Sequence, residues 1–78
     1  MAYRVYLVDT VDVAIFRRFG PFKSLRSATD MARSALEAYC NPSDRIIKLT
    51  RDESYAGAYG VLTDDHELID FEAIIRHV

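Results

Sequence analysis

From Ala2 to Val8 the chain alternates, with Tyr3, Val5 and Leu7 on one face and Arg4 and Tyr6 on the other, and β-branched or aromatic residues dominate. A period of two over this composition predicts a first strand. Asp9-Thr10-Val11-Asp12 follows, and its side chains suit bonding to nearby backbone amides, which predicts a hairpin reversal. A second strand is predicted from Val13 to Phe19, with Val13, Ile15, Arg17 and Phe19 on one face. Gly20-Pro21 should end it, because proline cannot donate to a sheet ladder.

The period then changes. Ser24 stands where an N-cap would accept a bond from the free amides of a first turn, with Phe22 and Ala28 flanking it near hydrophobic-staple spacing. Leu25, Ala28, Ala32, Ala35, Leu36 and Tyr39 recur at intervals of three and four, which predicts one helix with one apolar stripe. The alanines in that stripe let a helix backbone lie close to a sheet. Cys40-Asn41-Pro42 should stop it, since the residue before proline is pushed out of helical geometry.

Arg45 to Arg51 sets Ile46, Lys48 and Thr50 opposite Ile47 and Leu49, as in a third strand with one covered face. Tyr55 to Leu62 reads as a fourth strand after the turn at Asp52-Glu53-Ser54. Its small residues, Ala56, Gly57, Ala58 and Gly60, predict a bulge or the close approach of another backbone. After Thr63-Asp64-Asp65-His66, residues Glu67 to Val78 fit two periods. Alternation groups Ile69, Phe71, Ala73 and Ile75, whereas helical spacing groups Leu68, Phe71, Ile74, Ile75 and Val78. The reading adopted is a short strand through about Asp70 followed by one or two helical turns. The expected fold is α+β, in β-β-α-β-β order: an antiparallel sheet of four to five strands with one long helix on one face and a short C-terminal helix.

Length and composition narrow this further. With 78 residues, half of them hydrophobic and 28% charged, the chain has the makeup of a single globular domain over residues 1–78 and room for one core. The one cysteine, Cys40, excludes an internal disulfide or a cysteine-built zinc cage and suits a reducing cytoplasm. The N-terminal residues enter a strand pattern at once, without the features of a secretory signal, and no apolar run is long enough to span a bilayer. Soluble, intracellular residence in the cytoplasm is expected, without membrane association. The net charge of −2 conceals an uneven distribution. Residues 1–51 hold nine basic side chains against five acidic ones, and residues 52–78 hold seven acidic ones against Arg76 alone. Such a split can orient association with a charged partner.

No spacing singles out an active site, a metal or a cofactor. His66 and His77 sit in no motif, and a cysteine at a helix C-terminus has its thiol pKa raised, the wrong direction for a nucleophile. Asp64, Asp65, His66 and Glu67 do not match a calcium loop. Gly57 and Gly60 are not followed by the helix and Lys-Ser/Thr pair of a phosphate loop. Candidate partner-binding residues are therefore the acids Asp52, Glu53, Asp64, Asp65 and Glu67, suited to a basic protein surface, and Tyr55 and Tyr59, read as sharing a strand face with Gly57 between them. Against this, acidic turns also serve simply to keep an edge soluble, and tyrosines to fill a core. Arg17, Arg18, Lys23 and Arg26, interleaved with Phe19 and Phe22, form an alternative nucleic-acid-binding set, though without the aromatic order of an RNA-recognition strand.

The short acidic chain, the β-β-α-β-β order and the Phe-x-Ser-Leu-x-Ser-Ala helix opening at Phe22 to Ala28 resemble small proteins of phages and mobile elements, several anti-CRISPR proteins among them. The resemblance implies a non-enzymatic protein-binding inhibitor that acts in the cytoplasm of a bacterial host cell, engages a bacterial CRISPR effector complex, blocks its access to target DNA and so evades antiviral defence. Two other readings stand beside it. One is a small nucleic-acid-binding regulator, although direct nucleic-acid binding is disfavoured by the acidic balance. The other is a structural accessory protein that forms a homodimer through an open strand edge.

Overall fold

The computed structural model describes residues 1–78 as β1 (Tyr3–Asp9), β2 (Ala14–Phe22), α1 (Leu25–Glu37), β3 (Arg45–Lys48), β4 (Tyr55–Leu62) and β5 (Leu68–His77). The strands form one antiparallel sheet in the order β2-β1-β5-β4-β3, with α1 packed on one face. The α+β class and the alternation of the first strand are as expected. Tyr3, Val5 and Leu7 face the helix, and Arg4, Tyr6 and Val8 face away.

The helix forms where its N-terminal signal lies. Ser24 has extended backbone, and its side chain accepts from the Ser27 N–H at 3.1 Å. Ala28, Ala32 and Leu36, one turn apart in succession, are its buried residues. They close on Val5 and Leu7 of β1, Tyr59 and Val61 of β4, and Ala73 and Ile75 of β5. Only 12 of the 78 residues are buried, so each of these carries a large share of the stability. The hairpin turn also forms as its composition implies: Asp9 Oδ1 accepts from the backbone N–H groups of Val11 and Asp12, at 2.9 and 3.2 Å.

The C-terminal segment departs from expectation. Residues 68–77 are one continuous strand, with no terminal helix, and this strand is the middle of the sheet. It pairs with β1 from Asp9↔Phe71 to Tyr3↔His77, and with β4 from Leu62↔Leu68 to Tyr55↔Arg76. Backbone bonds from Thr10 N–H to Asp70 O and from Val78 N–H to Ala2 O continue the β1 pairing past both of its ends. A helix here would leave β1 and β4 each with an unpaired edge, so pairing on both sides decides between two patterns that local spacing leaves equal.

Three further corrections come from bulges and from an edge. A register shift between Leu7 and Val8 sets two β2 residues, Phe16 and Arg17, against one. Ile15 therefore pairs with Val8 on the open face while Arg17 pairs with Leu7 on the helix face, so the predicted grouping of Ile15 with Arg17 and Phe19 does not form. Gly20-Pro21 does not end β2, which runs on to pair Phe22 with Tyr3. As an edge strand it needs no outward donor from Pro21. The bulge expected in the small-residue strand lies at Ala56 and reverses its first residue: Tyr55 faces away from the helix and Tyr59 faces toward it.

A strand puts adjacent residues on opposite faces, which yields a direct check. Ile75→Ala should cost about 2–5 kcal/mol, as expected for truncating a fully buried isoleucine. Ile74→Ala, on the uncovered face, should cost clearly less in the same urea titration. Equal losses would fit the helical spacing instead.

Candidate docking face on the open side of the sheet

One helix covers one side of five strands, so the other side must be satisfied by its own residues. Cross-strand neighbours share a face, and the pairings Tyr6↔Ile74, Tyr6↔Arg18, Val8↔Ile15, Val8↔Glu72, Arg4↔Arg76 and Tyr55↔Arg76 define what lies there. Tyr6, Val8, Val13, Ile15, Tyr55, Ile74 and Arg76 line a groove of about 210 Å³ that crosses β1, β2, β4 and β5. Six of these seven residues are hydrophobic. The Arg76 guanidinium lies 5.8 Å from the centre of the Tyr55 ring, which positions that ring at one end of the groove.

At the other end stands Val13. Its φ of +52° is a left-handed conformation that a β-branched residue rarely adopts, yet its side chain is 82% exposed and gains little by burial. Strain of this kind costs about 1–3 kcal/mol and is commonly retained at binding sites. Here it holds an isopropyl group at the lip of the groove.

The face is bounded on its far side by an ion pair. Glu72 lies in the central strand, 9% exposed, between Val8 and Gly60. Arg51, from the β3–β4 loop, donates to both of its oxygens, Nε to Oε1 at 3.0 Å and Nη2 to Oε2 at 2.8 Å. This two-pronged bond raises the Arg51 pKa and carries the loop back across β4. Gly60 lies beneath the Leu49 side chain of the same loop, whose Cδ1 is 2.8 Å from where a Cβ would stand.

The candidate residues read from sequence are divided by this geometry. Asp52 and Glu53 precede β4, whereas Asp64, Asp65 and Glu67 follow it, so eight strand residues, roughly 25 Å, separate the two acidic groups. They do not form one acidic surface. Hydrogen bonding from Ser54, its backbone N–H foremost at 2.8 Å, holds the Asp52 carboxyl below its ordinary range, with Arg76 adding a smaller pull. Tyr55 is on the open face. Tyr59 is 8% exposed in the core, with the Arg33 guanidinium 5.7 Å from its ring centre, and offers almost no surface. The basic set separates as well. Arg18 is on the open face, Arg17 lies against Phe19 on the other at 5.0 Å, Lys23 is in the β2–α1 connection and Arg26 is in the first helical turn.

The division of charge along the chain does not become two ends of the molecule, because acidic β5 is inserted between β1 and β4. Sequence alone does not single out the groove residues Tyr6, Val8, Ile74 and Arg76. Alternation in the first strand pointed to the face of Tyr6, but Ile74 and Arg76 could be placed only once β5 was known to be a strand.

Outside this face, no group of three or more His, Cys, Asp or Glu side chains converges as metal ligands would. Cys40 is half-buried, and its thiol is pushed up by burial first and then by Asp44 and Glu37. No helix is long and apolar enough to cross a membrane.

Two measurements check these local arguments. Arg51→Met should destabilise the protein by about 1–3 kcal/mol by leaving the Glu72 carboxylate unpaired, and Arg51→Met with Glu72→Met should recover most of that loss in chemical denaturation. Because a raised thiol pKa leaves less thiolate at a given pH, Cys40 should react with a disulfide reagent at pH 8 more slowly than free cysteine does. No protein-family model matches the chain, and no curated protein or solved structure is significantly similar to it.

Proposed function

We propose that this chain is a non-enzymatic binding module that docks a partner protein on the open face of its sheet. The observation that carries the reading is the groove: an apolar channel with a tyrosine at either side, crossing four strands and ending on a strained, exposed valine. Tyrosine and arginine beside aliphatic side chains is the composition of interface hot spots. The groove is smaller than the roughly 300–1,000 Å³ of typical small-molecule sites, so it suits the side chains of a macromolecule better than a free ligand. The raised thiol of Cys40 and the separation of the acidic turns offer nothing to a catalytic reading.

Inhibition of a bacterial immune complex, the role implied by the resemblance to anti-CRISPR proteins, is one specific use of such a face. The acidic turns would then meet the complex at two separate points, one beyond each end of β4. Edge-to-edge dimerisation is supported less well, because β3 is only four residues long with Arg45 and Lys48 at its ends, and β2 carries a bulge and Pro21.

A photo-reactive phenylalanine analogue at Tyr55, introduced in native cells, should give a discrete protein adduct, and the same group at Ser34 on the exposed side of α1 should not. Equal labelling from both positions, or none from Tyr55, would refute docking on the open face. Val13→Gly should relieve strain, leaving stability unchanged or raised by about 1 kcal/mol, while weakening capture from Tyr55.

A further inference from the structure

We propose that the open face receives an acidic segment of its partner, with an apolar side chain in the groove and carboxylates on the arginines beside it. This rests on the docking reading above and adds the chemistry of what docks. Arg4, Arg18 and Arg76 all lie on this face, and none has a carboxylate within ion-pair distance, because Arg51–Glu72 is the one salt bridge in the structure. Arg4 stands directly opposite Arg76 on the neighbouring strand, a like-charge pair that destabilises a sheet unless something neutralises it. The Arg4 Nε is moreover buried without an acceptor, a further cost held at this corner of the face.

The acids of the same face do not cancel this charge. Glu72 is occupied by Arg51, Asp70 lies at the opposite end of β5 from Arg76, and Asp52, although its carboxylate feels the charge of Arg76, forms no ion pair with it and leaves Arg4 and Arg18 uncompensated. The complement is thus anionic, and the groove selects which anion. Val8, Val13, Ile15 and Ile74 present no hydrogen-bonding groups to the polar edges by which nucleobases are held, but they match a leucine or phenylalanine side chain. An acidic peptide with an apolar anchor satisfies both the arginines and the groove.

The test titrates the ¹⁵N-labelled full chain with a short peptide of alternating glutamate and leucine, with its glutamate-to-lysine and leucine-to-glycine versions, and with oligothymidylate. The acidic leucine peptide should produce saturable amide shifts centred on Tyr6, Val8, Ile15, Tyr55, Ile74 and Arg76. Both altered peptides should bind at least about tenfold more weakly, and Arg4→Gln or Arg76→Gln should weaken the parent peptide several-fold while leaving the rest of the spectrum in place. No shifts at millimolar peptide, or equal binding of the lysine version, would overturn the proposal. So would tighter binding of oligothymidylate to the same residues, which would identify a nucleic acid. Shifts at those residues on simple concentration, without peptide, would identify a second copy and overturn it equally. Failure here with the Tyr55 adduct still formed would remove the acidic segment and leave the docking face intact.

Discussion

The arrangement depends on the pairing of β5 on both of its sides. Residues 68–77 supply the ladder partner for β1 and for β4, so one strand joins a β1–β2 hairpin to a β3–β4 hairpin that otherwise have no sheet contact. Alternation along it then builds two surfaces at once. Phe71, Ala73 and Ile75 go under the helix, and Glu72, Ile74 and Arg76 go to the open face. Core and groove are thus two sides of the same ten residues, and neither exists without the strand.

The two surfaces are built on different physical terms. The helix side uses small residues, Ala28, Ala32 and Ala73, to bring the backbones together, and covers them with a few fully buried aliphatic side chains. The open side retains features that lower stability: opposed arginines, an orphaned Arg4 Nε, a left-handed valine and half-buried aliphatic residues. A chain with so small a core has little surplus to spend on such features, which is the physical reason to read them as a binding surface and not as packing.

The elements with strong local signals were legible in the sequence. Ser24 and the alanine stripe define the helix, the alternation of residues 3–8 defines β1 and its faces, and the small residues of β4 point to its bulge. What sequence left open depends on long-range partners. The segment after Glu67 has two periods, and only its neighbours choose between them. Bulges at Phe16 and Ala56 put the residues on their two sides on opposite faces from those simple alternation predicts, so Ile15 parts from Arg17 and Phe19, and Tyr55 parts from Tyr59, although the strands themselves are legible. The Arg51–Glu72 pair joins residues that sequence assigned to a basic strand and an acidic stretch. Sequence thus shows Tyr55 and Arg18 in isolation, but not the open face that unites them.

Amide hydrogen exchange along residues 71–77 tests the account most directly. If β5 is the central strand, the amides of Ala73 and Ile75 exchange only on global unfolding, as slowly as those of Val5 and Leu7 in β1. Exchange there at the rate of a frayed terminus, with β1 still protected, would contradict the account, because both the core and the proposed docking face would lose the strand on which they are built.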